Sequence, residues 1–511
     1  MPASALDASS RPSEPHLSNS TSPDLAATDA LDGPNSDSPN FILQPHHNSK
    51  SSIFTPLNFI HTITVILIFI VSFIIFVTFL SVALPFSASF RKTALSVSAP
   101  NEQLFVCDKC EYKLVETIPD QLIVPKAFSD TTETWLEIIN GAKNSLKMLV
   151  FYWDMTNDVH PHGDNGRRIM EALEKRAKEI SIQIVQYRHT SSFPDEPDLG
   201  KLREWGIDVV EIDWEQAFGG VLHTKLIMAD EESFYIGSAN MDWKSLNQVK
   251  ELGIKVDCAC LGADVDRLFK KYYYLGTQLN SSFSGFTGWP QESFTALTAQ
   301  RPMQVPFNGQ GGEAYLTAAP KLLAAPGRTY DLDALVGTIE NADEFVYISV
   351  MDYLPFAYYG SPHGWWGEID NAVRDAFARG ANVKMLISKW DHSPEIQVNA
   401  LRSLVSFGQE FCNRTEYHGY KWCESTLEVR EYVVPDPHGY EKYPFTRVNH
   451  AKYMVTDKDA FLTTSNWSKD YYYKTAGSTL VMTHKNVRAD LVEVFMRDWN
   501  SQYAYDLPVN Q

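Results

Sequence analysis

Val221-Leu-His-Thr-Lys-Leu-Ile-Met-Ala-Asp230 is answered late in the chain by Val448-Asn-His-Ala-Lys-Tyr-Met-Val-Thr-Asp457. Both read His, any residue, Lys, four residues, Asp. An Asn follows each, 17 residues beyond His223 in Gly237-Ser-Ala-Asn240 and 16 beyond His450 in Thr464-Ser-Asn466. β-forming residues crowd both stretches, which predicts a strand through each motif. The strand period of two puts His223 and Lys225 on one face, and His450 with Lys452. Asp230 and Asp457 precede polar, turn-like runs and are expected at strand ends.

A His beside a Lys suits a phosphodiester. The Lys neutralises phosphate oxygens, and the His can attack phosphorus or protonate a leaving oxygen. One copy supplies one His, and a displacement needs both jobs done. Two facing copies supply both, with two Lys and two Asn (Asn240 and Asn466) to hold the charge that builds on phosphorus. Such a site needs no metal and no cofactor. A single His-x-Lys pair is commonplace on surface strands; the full pattern twice is not.

Working outward, the first 50 or so of 511 residues are rich in Ser, Pro, Asp, Ala and Asn without an apolar period. They read as part of a disordered tail over 1–61. Residues 62–84 carry no charge and are dominated by Ile, Val, Phe and Leu, long enough to span a bilayer. Ser87-Ala-Ser89 is a small-residue site of the kind a signal peptidase cuts, but 61 residues precede the run, so an uncleaved signal anchor is expected. Arg91 and Lys92 beyond the span would hold the C-terminal part in the cytosol. Against that, all six Cys follow the span, and sequons stand at Asn280-Ser-Ser and Asn413-Arg-Thr. A lumenal catalytic part of a type II single-pass protein is the expectation. Cys107, Cys110, Cys258 and Cys260 suit either disulfides or a four-thiolate zinc site, although a one-residue gap is unusual for zinc. Cys412 and Cys423 are expected to pair locally. The net charge of −19 argues against a broad basic face for duplex nucleic acid, but not against a small pocket for one phosphate.

The remainder repeats itself coarsely. Strand 146–153, helix 166–178 and strand 180–187 lead to the first motif; strand 345–353, helix 367–379 and strand 382–388 lead to the second. Ile169, Leu173 and Ala177 mark one helix face, and Ile369, Val373, Ala376 and Phe377 the other. Strands alternating with helices predict α/β layers. The domains expected are a stalk 85–110, a first α/β unit 111–282, a linker 283–330 rich in Ser, Thr, Gly, Pro and Gln, and a second unit 331–511. Extra loop in the second half is expected over 412–445.

The two copies resemble the paired HKD motifs of the phospholipase D superfamily. Gly219-Gly-Val-Leu-His-Thr-Lys225, Gly237-Ser-Ala-Asn-Met-Asp-Trp-Lys244, Phe151-Tyr-Trp153 and Thr464-Ser-Asn-Trp-Ser468 further resemble its membrane-anchored subgroup, types three and four. The resemblance runs from about Cys107 to Leu507. It implies two tandem phospholipase D-like α/β domains with pseudo-twofold symmetry behind a single transmembrane helix. It also implies an endolysosomal 5′ exonuclease of single-stranded DNA and RNA, reached through the endoplasmic reticulum and Golgi, and a homodimer. The alternative it carries is phospholipase D or transphosphatidylase action on phospholipids such as phosphatidylglycerol. By the same resemblance, Cys107 and Cys110 bridge to Cys258 and Cys260, His223 is the nucleophile and His450 the acid. Glu251, 28 residues beyond His223, stands where relatives carry a carboxylate that orients a catalytic His. The second half has Lys474-Thr-Ala-Gly477 there, and Thr463 where relatives have Gly, so a different local turn is expected. Asn466-Trp-Ser468 is formally a sequon but is expected inside the core. Trp153, Tyr353, Trp365, Trp366 and Tyr471 to Tyr473 are candidates for stacking on bases or lining a lipid pocket, with ordinary core packing as the rival. No role follows from spacing for His363 or His392.

Overall fold

Ser145–Val150 and Phe345–Val350 share one burial rhythm, with the last three residues of each wholly enclosed. Each is followed by a helix, Asp164–Ala177 or Glu368–Arg379, and by a parallel strand, Ser181–Tyr187 or Asn382–Ser388. Burial on both faces explains why these strands read as near-continuous apolar runs. The computed structural model describes residues 107–507 except Asp108, 157–162, 189–196, 279–285, 360–362, 414–415, 418–419, 422–423 and 438–443. The expected tail, the 62–84 anchor, most of the stalk, Asn280 and Cys423 lie outside the described residues. Among the described residues, no helix is long and apolar enough to cross a membrane.

The chain forms a mixed α/β fold in which one sheet is built twice. The first sheet runs Ser129–Asp130, Glu111–Thr117, Glu251–Asp257, Ser233–Gly237, Leu226–Ala229, Ser145–Val150, Ser181–Tyr187, Asp208–Ile212. The second runs Met303–Phe307, Gln310–Ala319, Gly477–Met482, Ala460–Thr463, Tyr453–Thr456, Phe345–Val350, Asn382–Ser388, Leu427–Tyr432, Ala504–Asp506. A shared core joins the halves, with Leu226, Ile236 and Ile254 in the same cluster as Leu316, Leu462 and Leu480. The helices Ala259–Gln278 and Lys485–Trp499 send Val265, Phe269, Leu491 and Phe495 into it. Each half has a second core beneath its other helices. The described residues belong to one compact unit.

Four expectations need correction. The stretch 283–330 is not a linker throughout, since Met303–Phe307 and Gln310–Ala319 are strands of the second sheet. Its Gly and Pro residues mark turns and a hairpin rather than a loose tether. The motif strands begin only at Leu226 and Tyr453, so each His-x-Lys precedes its strand. Thr463 closes an ordinary strand, Ala460–Thr463. The matching Gly237 is needed for space: a Cβ there would meet Gly253 Cα and the Tyr235 hydroxyl at 2.5 Å. The added length of the second half is spread over a 19-residue helix, Glu395–Asn413, where the first has 8 residues, and over the paired strands Glu416–Tyr417 and Tyr420–Lys421.

The cysteines pair as Cys107–Cys260 and Cys110–Cys258, which ties the start of the body to the end of the strand Glu251–Asp257. The sulfurs that could have held zinc are used in these bonds. Cys412, like Asn413, lies at the end of the helix Glu395–Asn413.

Candidate active site

Each motif enters the site by bonding to the other half. His223 N donates to Ala476 O (2.9 Å), and Ala476 N to Val221 O (2.8 Å). His450 N donates to Lys250 O (2.8 Å), and Lys250 N to Val448 O (3.0 Å). The two histidines are therefore set by backbone contacts between halves and neither half completes its own site. This explains why His-x-Lys stands before the strand: the segment leaves its own sheet to pair across the interface.

The imidazoles are held in different ways. His223 Nδ1 donates to Thr464 O at 2.8 Å, which leaves Nε2 as the ring's other nitrogen. His450 Nδ1 lies 2.8 Å and 3.1 Å from the two carboxylate oxygens of Glu251. That carboxylate also accepts from the hydroxyls of Ser238 (2.5 Å) and Ser245 (2.9 Å). Glu251 thus serves the histidine of the opposite copy. Pairing of Gly253 with Gly237 and of Thr479 with Thr463 makes Gly477, not Lys474, the counterpart of Glu251. A Cβ at Gly477 would strike the Ser465 hydroxyl, so no acid fits there. The asymmetry suspected from the sequence is built into the packing.

Lys225 and Lys452 each donate to the carbonyl of their own histidine at 2.7 Å, which spends one N–H and leaves two on each ammonium. Asn466 donates to Asp352 and reaches the Tyr471 hydroxyl, both at 3.1 Å. The Oδ1 atoms of Asn240 and Asn466 are buried and meet no partner among the described residues. Unsatisfied buried amide groups lining a cleft are groups a ligand can satisfy. Asp230 and Asp457 do not join them. Asp230 accepts from the backbone of Lys143, Asn144 and Ser145 at 2.6–2.9 Å. Asp457 accepts likewise from Asp343, Glu344 and Phe345. Both hold the turn that launches the strand beside the motif.

His223, His450, Asn240, Asn466 and Glu251 line one tight cleft of about 40 Å³, together with Trp390, Phe445 and Tyr471. His392 stacks on Phe445 at its rim (4.7 Å). Tyr152 and Asp352, which follow equivalent strands, were not singled out by motif spacing. Tyr152 bonds Asp242 at 2.6 Å, and Asp352 holds Asn466. Aligning the two halves residue by residue would have exposed both. Ser245 carries no sequence signal of its own. Of the aromatic candidates, Trp153, Tyr353, Trp366 and Tyr472 are core; Tyr471 lines the cleft, and Trp365 and Tyr473 are exposed.

Burial, then Lys225, Lys452 and His450, pushes His223 well below the ordinary histidine range, so it is neutral. Burial, then Lys452 and Lys225, also pushes His450 down. Burial pushes Glu251 up to about 7, despite Lys452 and its serine donors. The His450–Glu251 pair therefore keeps one shared proton in weak acid. Burial lowers Lys452 to about 7, with Glu251 and Asp352 opposing. A phosphate anion between the lysines would oppose their lowering of both histidines.

A family model described as PLD3/4, PLD-like domain, matches residues 125–418. The protein named 5'-3' exonuclease PLD3 of Homo sapiens is 38% identical over 427 residues, 81% of this chain and 84% of that one. Its namesake in Rattus norvegicus is 39% identical over 428 residues, with the same coverage of 81% and 84%. Probable phospholipase D F09G2.8 of Caenorhabditis elegans is 40% identical over 405 residues, 78% of this chain and 71% of that one. With relatives of this similarity over about four-fifths of its length, the chain belongs to the PLD3/4 family of the phospholipase D superfamily.

Proposed function

We propose that the protein is a phosphodiesterase that shortens single-stranded DNA or RNA from a free 5′ end through a phosphohistidine. The unequal wiring of the two histidines carries the reading. His223, neutral and held through Nδ1 by a carbonyl, presents the Nε2 lone pair. It attacks phosphorus; the P–N bond forms and the P–O bond to the leaving group breaks. His450, held by Glu251, gives its Nε2 proton to the leaving oxygen. It then takes a proton from water, which attacks phosphorus and releases His223. Lys225, Lys452, Asn240 and Asn466 hold the phosphoryl oxygens throughout. The 5′ polarity and the nucleic-acid substrate are supported by the relatives named 5'-3' exonuclease.

We further place 62–84 as the anchor of a type II membrane protein with an endolysosomal, lumenal body, glycosylated at Asn280 and Asn413, that forms homodimers. The two disulfides support an oxidising compartment. The test uses the full chain in detergent, at acidic pH with EDTA, on single-stranded oligonucleotides labelled at either end. Stepwise loss from the 5′ end, abolished in His223→Ala and His450→Ala, is the expected result. Turnover of phosphatidylglycerol with the oligonucleotides left intact would overturn the reading in favour of a lipid substrate.

A further inference from the structure

Tyr471 is a wall shared by two spaces. On one side it meets His223 edge-on, ring centres 5.1 Å apart, in the reaction cleft. On the other it faces a separate groove of about 820 Å³. Rings continue along that groove: Tyr359 lies 5.9 Å from Tyr471, and Tyr358 5.0 Å from Tyr359. Beyond them Trp365 leans on Phe356 (5.4 Å) from the short hairpin Phe356–Ala357/Gly364–Trp365. Trp365 is 60% exposed, an uncommon place for so large an apolar ring.

The composition of the groove narrows its occupant. Among the described residues, Glu215, Asp470 and His363 line it, and no Lys or Arg does. Asp470 accepts from the backbone of Tyr358 (2.8 Å) and Tyr359 (2.9 Å), which fixes these rings in place. A run of phosphates would be repelled here. An acyl chain would be met by branched aliphatic side chains, of which the lining has two, Val221 and Ile396. Flat, polar-edged rings fit both the stacking faces and the carboxylate rim.

We propose that this groove is a nucleobase subsite, in which bases next to the scissile phosphate stack on Tyr358, Tyr359 and Trp365 while their phosphates stay outside. It rests on the exonuclease reading and adds that bases, not only the 5′ end, are gripped. The subsite predicts a single-strand requirement, because bases stacked within a duplex cannot present their faces.

The test compares KM and kcat of the full chain and of Trp365→Ala, Tyr358→Ala and Trp365→Phe on three substrates. These are a single-stranded oligonucleotide, the same strand with abasic sites after its first nucleotide, and bis(p-nitrophenyl) phosphate. Stacking worth about 1–3 kcal/mol per base predicts that Trp365→Ala raises KM for the intact strand about 5- to 150-fold, with kcat little changed. Trp365→Phe should restore most of this. The wild type should bind the abasic strand correspondingly less well, and the variants should match wild type on the abasic strand and on the small diester. Equal KM for intact and abasic strands would overturn the subsite, as would an equal loss on the small diester, which would mark a structural role. Loss of phosphatidylglycerol turnover alone in Trp365→Ala would give the groove to lipid. A wild type that cleaves the small diester but no oligonucleotide would defeat the exonuclease reading itself, and the subsite with it.

Discussion

Glu251 accepts from Ser238, Ser245 and His450 in a site that also encloses two lysines. Its carboxyl titrates at about 7 in the folded protein against an ordinary 4.5. Between these values the folded chain binds more protons than the unfolded one, so this group's stabilisation is lost as pH rises through about 7. Glu251→Gln is therefore expected to gain in melting temperature relative to wild type as pH rises through this window. The same proton serves catalysis, so kcat/KM of the wild type should fall on the basic side near pH 7, and in Glu251→Gln that fall should move to lower pH. A variant with an unmoved basic limb would show that Glu251 does not hold the acid. The sequence offered Glu251 only through its resemblance to relatives with a carboxylate at that distance from the first His; that it serves His450 depends on how the halves meet, which no local spacing encodes.

At the scale of single elements, Asp230 and Asp457 are conspicuous in the motif yet hold turns. Backbone donors from Lys143, Ser145 and Asn144 outweigh burial and keep the Asp230 carboxyl below its usual range. Asp230→Ala is expected to cost about 1–2 kcal/mol of stability by denaturant unfolding, while kcat/KM at a permissive temperature stays near wild type. A large drop in kcat/KM with unchanged stability would place Asp230 in the chemistry instead. Strands and helices were legible where periodicity is strong: helix 166–178 is found at Asp164–Ala177, and strand 382–388 at Asn382–Ser388. The strands in 303–319 were hidden because Gly311, Gly312 and Pro306 carry turn chemistry inside a hairpin.

At the scale of the molecule, a duplicated sheet gives near-equal motifs and the interface makes them unequal. Duplication was readable from the repeated pattern; the shared core and the exchange of backbone bonds were not, because both depend on contacts some 200 or more residues apart. The disulfides close loops of 153 and 148 residues and fasten the strand Glu111–Thr117 beside Glu251–Asp257. Removing one through Cys110→Ser with Cys258→Ser should lower stability by about 2–4 kcal/mol and shift the unfolding midpoint accordingly. An unchanged midpoint would mean that this bond contributes nothing to holding the body together.

The most direct test is to quench the full chain during turnover of a single-stranded oligonucleotide and map the covalent adduct by mass spectrometry under conditions that preserve phosphohistidine. The unequal wiring of the two rings predicts a phosphorylated peptide containing His223 and none containing His450. An adduct on His450 alone, or rapid turnover with no adduct on either, would contradict it.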